Sequence, residues 1–243
     1  MLRGLRLAIS LLTIVPVRRR DSAPEPVTAA GLAMLWAPLV GLALGAVAAG
    51  VMSLGEIAGQ TSLLSAALGV ATLAALTRGL HLDGLADTAD GLGTRRPAAE
   101  ALAVMRAGDI GPFGVVTVVL VLLVQVAAAA QAGPLALMAA ATVGRIAMTW
   151  SCRRGVPAAR PDGLGALVAS SVSTVHAALF ALVALLAAVA LGPTGALGVF
   201  AGLGAGELVL RRSLKRLGGV TGDVLGAVCE VSVATALVLF AAA

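Results

Sequence analysis

The 243-residue chain is 59% hydrophobic and only 12% charged, and its mean hydropathy is +1.02. These values exclude an ordinary soluble domain and favour a membrane protein with several spans. The net charge of +5 would suit nucleic acid, but aromatic residues make up only 2% of the chain and tyrosine is absent, so we expect no nucleic-acid partner. Cys152 and Cys229 lie in apolar segments without metal-ligand spacing, and we interpret them as packing residues.

The apolar segments, taken in chain order, predict an all-α protein in a lipid bilayer. Residues 5–15 are too few to cross a hydrocarbon core of about 30 Å, and three arginines follow at positions 18 to 20, so we predict an interfacial helix there. Residues 21–28 contain two prolines and are predicted to form a linker. The predicted spans are residues 29–54, 61–80, 111–131, 134–151, 172–191, 194–210 and 224–243, with Gly-Pro turns at 133–134 and 192–193. We therefore expect a polytopic helix bundle of about seven transmembrane helices plus the N-terminal interfacial helix, forming one domain over residues 1–243.

Basic residues collect in alternate loops, as the positive-inside rule requires of a membrane protein. The turns around Gln60, Gly133 and Gly192 carry no basic residue. One side of the bundle carries Arg3, Arg6, Arg18, Arg19, Arg20, Arg78, Arg95, Arg96, Arg106, Arg153, Arg154, Arg160, Arg211, Arg212, Lys215 and Arg216. This pattern predicts a protein of the cell inner membrane whose N-terminus and charged loops face the cytoplasm.

Arg145 and Glu207 are two of the charged residues that fall inside predicted spans. Arg145 lies in the fourth span and Glu207 in the sixth. An ion pair between neighbouring helices would account for both residues without any function. A substrate-facing Arg145 would account for it equally well, and the sequence leaves these two interpretations open.

The segment HLDGLADTADGLGTRR, residues 81–96, directly follows the second predicted span and carries Asp83, Asp87 and Asp90. In a helix, Asp87 lies about 40° from Asp83, and Asp90 lies about 20° to its other side, so the three side chains share one narrow stripe. Like charges at this spacing destabilise a helix and raise one another's pKa unless a cation lies between them. Oxygen ligands without His or Cys on the stripe favour a hard ion, and we predict that these three aspartates bind Mg²⁺.

Two glycine-rich stretches add charged residues near the ends of spans. MRAGDIGPFG, residues 105–114, places Arg106 and Asp109 in a turn that can present backbone N–H groups to a phosphate. KRLGGVTGD, residues 215–223, combines basic residues with glycines, a hydroxyl and Asp223. Glu230 shares a helical face with Asp223 and lies roughly two turns inside the last span, so we favour a functional role over a helix-pairing role for it.

Three motifs together resemble the cobalamin synthase family, the adenosylcobinamide-GDP ribazoletransferases. They are HLDGLADTADG at residue 81, the MR-x-x-D-I-G-P-F-G stretch at residue 105 and GGVTGD-x-x-GA-x-x-E at residue 218. The opening LLTIVPV and the segment WAPLVG at residue 36 are also similar to that family's N-terminal pattern. The likeness therefore runs over nearly the whole chain.

The resemblance implies an integral membrane transferase that works with Mg²⁺. It would transfer the cobinamide-phosphate moiety of adenosylcobinamide-GDP to α-ribazole or α-ribazole 5′-phosphate and release GMP. Asp83, Asp87 and Asp90 would be both the catalytic residues and the metal ligands. Substrate-binding roles are implied for His81, Arg106, Asp109, Lys215, Arg216, Thr221, Asp223 and Glu230. A homo-oligomer is compatible with these patterns, which do not set the number of subunits.

Two other functions also fit a membrane protein with clustered charges. A CDP-alcohol phosphotransferase likewise uses clustered aspartates in a membrane helix, but Asp87-Thr88 stands where the Ala-Arg pair of that group's pattern would be expected. A transporter could use Arg145, Glu207 and Glu230 as an ion path. The charges crowd towards one side of the membrane instead of its midplane, and no inverted repeat is visible, which counts against a transporter.

Overall fold

The computed structural model describes residues 2–17, 27–189 and 193–242 and is built of helices. The helices are α1 (Leu2–Leu12), α2 (Val27–Ile57), α3 (Ser62–Leu76), α4 (Leu80–Gly93), α5 (Ala98–Val104), α6 (Pro112–Ala132), α7 (Pro134–Ser151), α8 (Gly163–Val168), α9 (Thr174–Val189), α10 (Pro193–Leu217) and α11 (Gly222–Phe240). Over these ranges, β-type pairing is limited to two isolated bridges. The predicted all-α fold class is confirmed.

Among the described residues, three helices are long and apolar enough to cross a membrane: α2, α6 and α11. α3 and α4 pass the same test only as a bent pair, which would make a fourth span. α9 is apolar but has only 16 residues. The predicted count of seven spans is therefore not confirmed. α7 and α10 are not counted as spans because they are less apolar: α7 carries Arg145, and α10 carries Glu207 and a basic C-terminal turn.

The sequence suggested that the second predicted span continues straight into the aspartate segment. The structure shows a bend there instead. α3 ends at Leu76, α4 begins at Leu80, and the two helices meet at 87°. Arg78 and Gly79 have φ angles of 56° and 68°, so the chain passes through the left-handed region between the helices. α4 therefore turns away from the direction of α3 and packs across the first turns of α6 and α11.

Large apolar side chains cover the outer face of α6. Val116, Leu120 and Leu123 follow one another at helical spacing and are 56%, 57% and 62% exposed. α9 presents a similar face through Val175, Leu179, Leu182 and Leu186. A continuous apolar surface of this size is unfavourable in water and stable against lipid. The chain is therefore a membrane protein.

The interior is packed through small residues, which allow close approach of helix backbones. A methyl group on Gly45 of α2 would lie 2.9 Å from the carbonyl oxygen of Met138 on α7. A methyl group on Gly144 of α7 would lie 2.9 Å from the carbonyl oxygen of Cys229 on α11. α2, α7 and α11 thus form a tightly packed scaffold beneath α4.

Several element boundaries differ from the predicted ones. α1 begins and ends about three residues earlier than predicted and packs its Gly4 against Leu32 of α2. α10 continues to Leu217, well past the predicted end at residue 210, because its last turns leave the apolar region and become basic. α5 and α8 are short helices that the apolar pattern did not predict. The arginines at positions 18 to 20, residues 21–26 of the predicted linker and Gly192 of the predicted turn lie outside the described residues.

Candidate active site

The three predicted ligand aspartates occupy one face of α4 but differ in exposure. Asp83 is exposed, Asp87 is half-buried and Asp90 is only 7% exposed. The gradient arises because α4 begins at the open end of the site and its later turns pack against α6. The three side chains therefore have different environments, although their spacing in the sequence indicated three equivalent ligands.

Asp90 caps α6. Its Oδ2 accepts a hydrogen bond of 2.8 Å from the N–H of Gly111, and its Oδ1 accepts one of 3.0 Å from the N–H of Gly114. A carboxylate at this position satisfies N–H groups that the first turn of a helix leaves without partners. The expectation that this glycine-rich turn offers its N–H groups to a phosphate is therefore wrong at Gly111 and Gly114, because Asp90 already binds them.

Glycines bring α4 against the beginning of α11. A methyl group on Gly84 would lie 2.7 Å from the backbone oxygen of Asp223, and one on Gly226 would lie 3.0 Å from the backbone oxygen of His81. No larger side chain fits between these backbones without a shift. The aspartate helix and the start of α11 therefore pack directly against each other.

The turn before α11 orients Asp223. Thr221 accepts a hydrogen bond of 3.2 Å from the N–H of Val224 and so caps the helix, and its hydroxyl donates to Asp223 Oδ2 at 3.1 Å. Arg160 donates to the same oxygen at 2.8 Å. The loop that carries Arg160 is held by a backbone pair in which Ala159 N–H donates to Val220 at 2.9 Å. Asp223 therefore sits in a fixed position beside α4.

Negative charge is concentrated around Asp87. Partial burial is the largest cause that raises the pKa of Asp87 to about 6, and repulsion from Asp83 is the next. Asp223 and Asp90 raise the pKa further, whereas Arg160 lowers it. Four carboxylates from two helices thus act on one another, which is the electrostatic environment that a bound cation relieves.

A cavity of about 370 Å³ opens beside Asp223, the one of these four carboxylates that lines it. Its apolar wall is made by Leu12, Leu80, Met148 and Leu164, which come from α1, α4, α7 and α8. Its polar wall includes Asp223, Arg160, Arg106 and Asp162. Arg106 forms an ion pair with Asp162 at the exposed side of the cavity.

The other predicted substrate-binding residues lie at varying distances from this cavity. Asp109 and Lys215 are exposed. Arg216 donates hydrogen bonds to the backbone oxygens of Thr94 at 2.8 Å and Arg96 at 3.2 Å, so it ties the end of α10 to the segment after α4. Arg216 consequently has a structural partner, which its place in a basic run did not reveal.

Arg145 lies in a buried polar cluster beneath α4. Its Nη2 is 3.4 Å from Nδ1 of His81, and its charge acts on the carboxylate of Glu230. Gln125 donates a hydrogen bond of 2.8 Å to Glu230, so Glu230 does pair helix α11 with α6. Donor atoms of His81, Cys229 and Glu230 lie within 4.8 Å of one another. Because the guanidinium of Arg145 already supplies positive charge there, we interpret the cluster as a buried hydrogen-bonded network.

The proposed ion pair between Arg145 and Glu207 is wrong. Glu207 accepts hydrogen bonds from Arg211 at 2.8 Å and from Trp150 at 2.9 Å, and its salt bridge to Arg153 is 3.2 Å long. Arg153 also stacks on the ring of Trp150 at 4.5 Å. Glu207 therefore belongs to a basic cluster between α7 and α10, because α10 turns its charged end towards the loop after α7.

Comparison with known proteins decides the family. A family model described as cobalamin-5-phosphate synthase matches residues 4–241. The chain belongs to the cobalamin-5-phosphate synthase family. It is 43% identical to the adenosylcobinamide-GDP ribazoletransferase of Frankia casuarinae, over 97% of this chain and 93% of that relative. It is 41% identical to the enzyme of the same name from a Nocardioides species, over 98% of this chain and 97% of that relative. No solved structure matches the chain.

Membership of the cobalamin-5-phosphate synthase family confirms the resemblance drawn from the three motifs. It also favours an adenosylcobinamide-GDP ribazoletransferase over a CDP-alcohol phosphotransferase or a transporter. Of the residues that the motifs contain, the structure brings His81, the three aspartates of α4, Thr221 and Asp223 into one neighbourhood. Glu230 lies deeper, next to Arg145, and Lys215 lies outside this neighbourhood on the exposed end of α10.

Sequence reasoning missed Arg160, Asp162 and the apolar wall of the cavity. Arg160 had been counted only as a loop charge, yet it forms the ion pair that holds Asp223. The local signal was the sequence Arg160-Pro161-Asp162-Gly163, which places opposite charges on both sides of a turn. Leu12 and Met148 gave no signal, because their place in the wall depends on how α1 and α7 pack.

The raised pKa of Asp87 predicts a pH-dependent effect of the Asp87→Asn variant on stability. A carboxyl group whose pKa rises on folding favours the folded state at low pH and opposes it once pH passes the folded pKa of about 6. In EDTA, Asp87→Asn should therefore raise the Tm at pH 8 by about 2 °C, a small value because half-exposed charges are screened, and should have no such effect at pH 4.

Thermal unfolding in detergent, followed by the fluorescence of Trp36 and Trp150, measures this difference. Glu56→Gln, on the exposed last turn of α2, is the matched control and should change the Tm little at either pH. A lower Tm for Asp87→Asn at pH 8 would contradict the crowding of carboxylates described above.

Proposed function

We propose that this protein is an adenosylcobinamide-GDP ribazoletransferase. In this reaction a ribose hydroxyl of α-ribazole, or of its 5′-phosphate, attacks the phosphate next to cobinamide and GMP leaves. The proposal is supported by the family and by relatives with this printed name that cover nearly the whole chain. The single structural observation that carries it is the convergence of Asp83 and Asp87 from α4 with Asp223 from α11, which itself lines a cavity.

The carboxylates of this site suit magnesium. Their donor atoms are oxygens only, and after burial the causes that raise the pKa of Asp87 are the neighbouring carboxylates Asp83, Asp223 and Asp90. We propose that Asp83 and Asp87 hold the ion, with Asp90 at the buried end of the same stripe. When bound, Mg²⁺ would neutralise charge on the pyrophosphate as GMP departs.

Asp90 contributes to this site by holding α4 against the start of α6. Both of its oxygens already accept backbone hydrogen bonds from the start of α6, so each keeps one lone-pair direction for another partner. It therefore locks the register between α4 and α6 and fixes the direction in which Asp87 points.

Proton transfer from the attacking hydroxyl needs a carboxylate that is ionised at neutral pH and still basic. In the absence of a metal ion the pKa of Asp87 is raised to about 6, and we propose that Asp87 binds the ion through one oxygen and keeps the other free to accept the proton. Asp223 is less available for this role, since its Oδ2 already accepts hydrogen bonds from Arg160 and Thr221. We assign the proton-accepting role to Asp87 and a substrate-orienting role to Asp223.

The activity can be tested directly. Purified protein incubated with adenosylcobinamide-GDP, α-ribazole and Mg²⁺ should form GMP and a complete corrinoid, both detectable by mass spectrometry. EDTA should abolish product formation, and Asp87→Asn should lower the rate by at least about 100-fold, because it loses both a ligand and a base. The control Glu56→Gln should keep full activity. Full turnover in chelator would rule out the magnesium assignment.

We further propose that the end of the bundle that carries α4 faces the cytoplasm of the cell inner membrane. The support is the basic sequence of the loops at this end, including Arg95, Arg154 and Arg212, and the absence of basic residues around Gly133.

Single cysteines in intact cells test this orientation. Both native cysteines are buried, so they should not react with a membrane-impermeant maleimide. Gln131→Cys, at the exposed end of α6, should be labelled from outside the inner membrane, whereas Arg95→Cys should be labelled only after the cells are opened. The reverse pattern would show that the site faces away from the cytoplasm.

A further inference from the structure

The 370 Å³ cavity beside Asp223 is large enough for a nucleoside and too small for a corrinoid. Small-ligand pockets start at about 300 Å³, whereas a corrin ring with its side chains and nucleotide needs far more room. The cavity can therefore enclose only one part of the reacting pair, either the acceptor nucleoside or the guanosine end of the donor.

The chemistry of the cavity wall distinguishes between these two possible ligands. Four large apolar side chains, Leu12, Leu80, Met148 and Leu164, line the cavity. Guanine has ring N–H, amino and carbonyl groups that all need partners when buried. The base of α-ribazole is a dimethylbenzimidazole, which is apolar except for one free ring nitrogen. An apolar wall therefore suits the acceptor base better than guanine.

The carboxylates of the cavity are each partly engaged already. Asp223 is paired with Arg160 at 2.8 Å, and Asp162 is paired with Arg106. One oxygen of each acid is thus occupied by an arginine, which reduces its capacity to accept hydrogen bonds from the N–H groups of a base.

The two arginines differ in how firmly they are held. The side chains of Arg160 and Asp223 are only 15% and 26% exposed, so their ion pair is part of the packed wall. The side chains of Arg106 and Asp162 are 51% and 63% exposed, and exposed ion pairs contribute little to stability. Arg106 can therefore exchange Asp162 for a more highly charged partner such as a phosphate at little cost.

We propose that this cavity is the acceptor site, in which the apolar wall holds the base of α-ribazole and Arg106 determines specificity by binding the acceptor's 5′-phosphate. The inference rests on the proposed ribazoletransferase activity. It places the ribose between the apolar wall and Asp223, the carboxylate that lines the cavity.

The test compares two acceptors in two arginine variants of the full-length protein. With saturating adenosylcobinamide-GDP and Mg²⁺, kcat/KM is measured for α-ribazole and for α-ribazole 5′-phosphate. Arg106→Gln should lower kcat/KM for the phosphorylated acceptor by about 10-fold to 100-fold more than it lowers kcat/KM for α-ribazole, as expected for one charge-assisted hydrogen bond to the 5′-phosphate. The control Arg154→Gln removes an exposed arginine that does not line the cavity and should change neither value.

A wall variant tests the position of the base. Leu164→Ser should raise the KM for both acceptors and leave the KM for adenosylcobinamide-GDP unchanged. If the KM for the donor rises instead, the cavity holds the guanosine end and the inference is wrong. An equal loss for both acceptors in Arg106→Gln, or no loss at all, would also overturn it.

A failure of the acceptor-site assignment can be told apart from a failure of the proposed ribazoletransferase activity. If the wild-type protein transfers to neither acceptor, the proposed activity fails. The site assignment is then tested by equilibrium dialysis with radiolabelled α-ribazole 5′-phosphate. Binding that weakens in Arg106→Gln and in Leu164→Ser, but not in Arg154→Gln, supports the site, and binding that none of these variants changes contradicts it.

Discussion

The close contact between α4 and α11 is the constraint on which the site depends. Gly84 and Gly226 allow two backbones to meet where any side chain would push them apart. Because of that contact, Asp223 reaches the carboxylates of α4 although about 130 residues separate them in the chain. The 87° turn after α3 is the second requirement, since a straight continuation of α3 would carry the aspartates away from α11.

The charges that this contact brings together are balanced by different means at different depths. Near the surface, Arg160 compensates Asp223, whereas Asp83 and Asp87 keep uncompensated charge that a cation can neutralise. Deeper, Arg145 supplies the positive charge beside Glu230, and Gln125 completes its hydrogen bonding. This division explains why the acidic face of α4 suits a metal and the buried cluster with Cys229 does not.

The helical fold and the aspartate face could be predicted because they depend on local periodicity and composition. The residues 134–151 were predicted with the same bounds that α7 has, since Gly-Pro starts the helix and polar residues follow it. The different roles of Asp83, Asp87 and Asp90 could not be predicted, because they depend on which neighbour each one meets. The same applies to Arg160 and Met148, whose places in the cavity result from packing between distant segments. The count of seven spans is not confirmed, because helices such as α7 and α10 carry charged residues among their apolar ones.

The central claim, that Asp87 and Asp223 belong to one site, is tested most directly by a double-mutant cycle on stability. The Tm of metal-free protein at pH 8 is measured for the wild type, Asp87→Asn, Asp223→Asn and the double variant. The account predicts that the gain from Asp87→Asn is smaller when Asp223 is already neutral, because one source of repulsion is gone and Arg160 is free to act on Asp87. Equal gains in both backgrounds would mean that the two carboxylates do not interact and would contradict the single-site account.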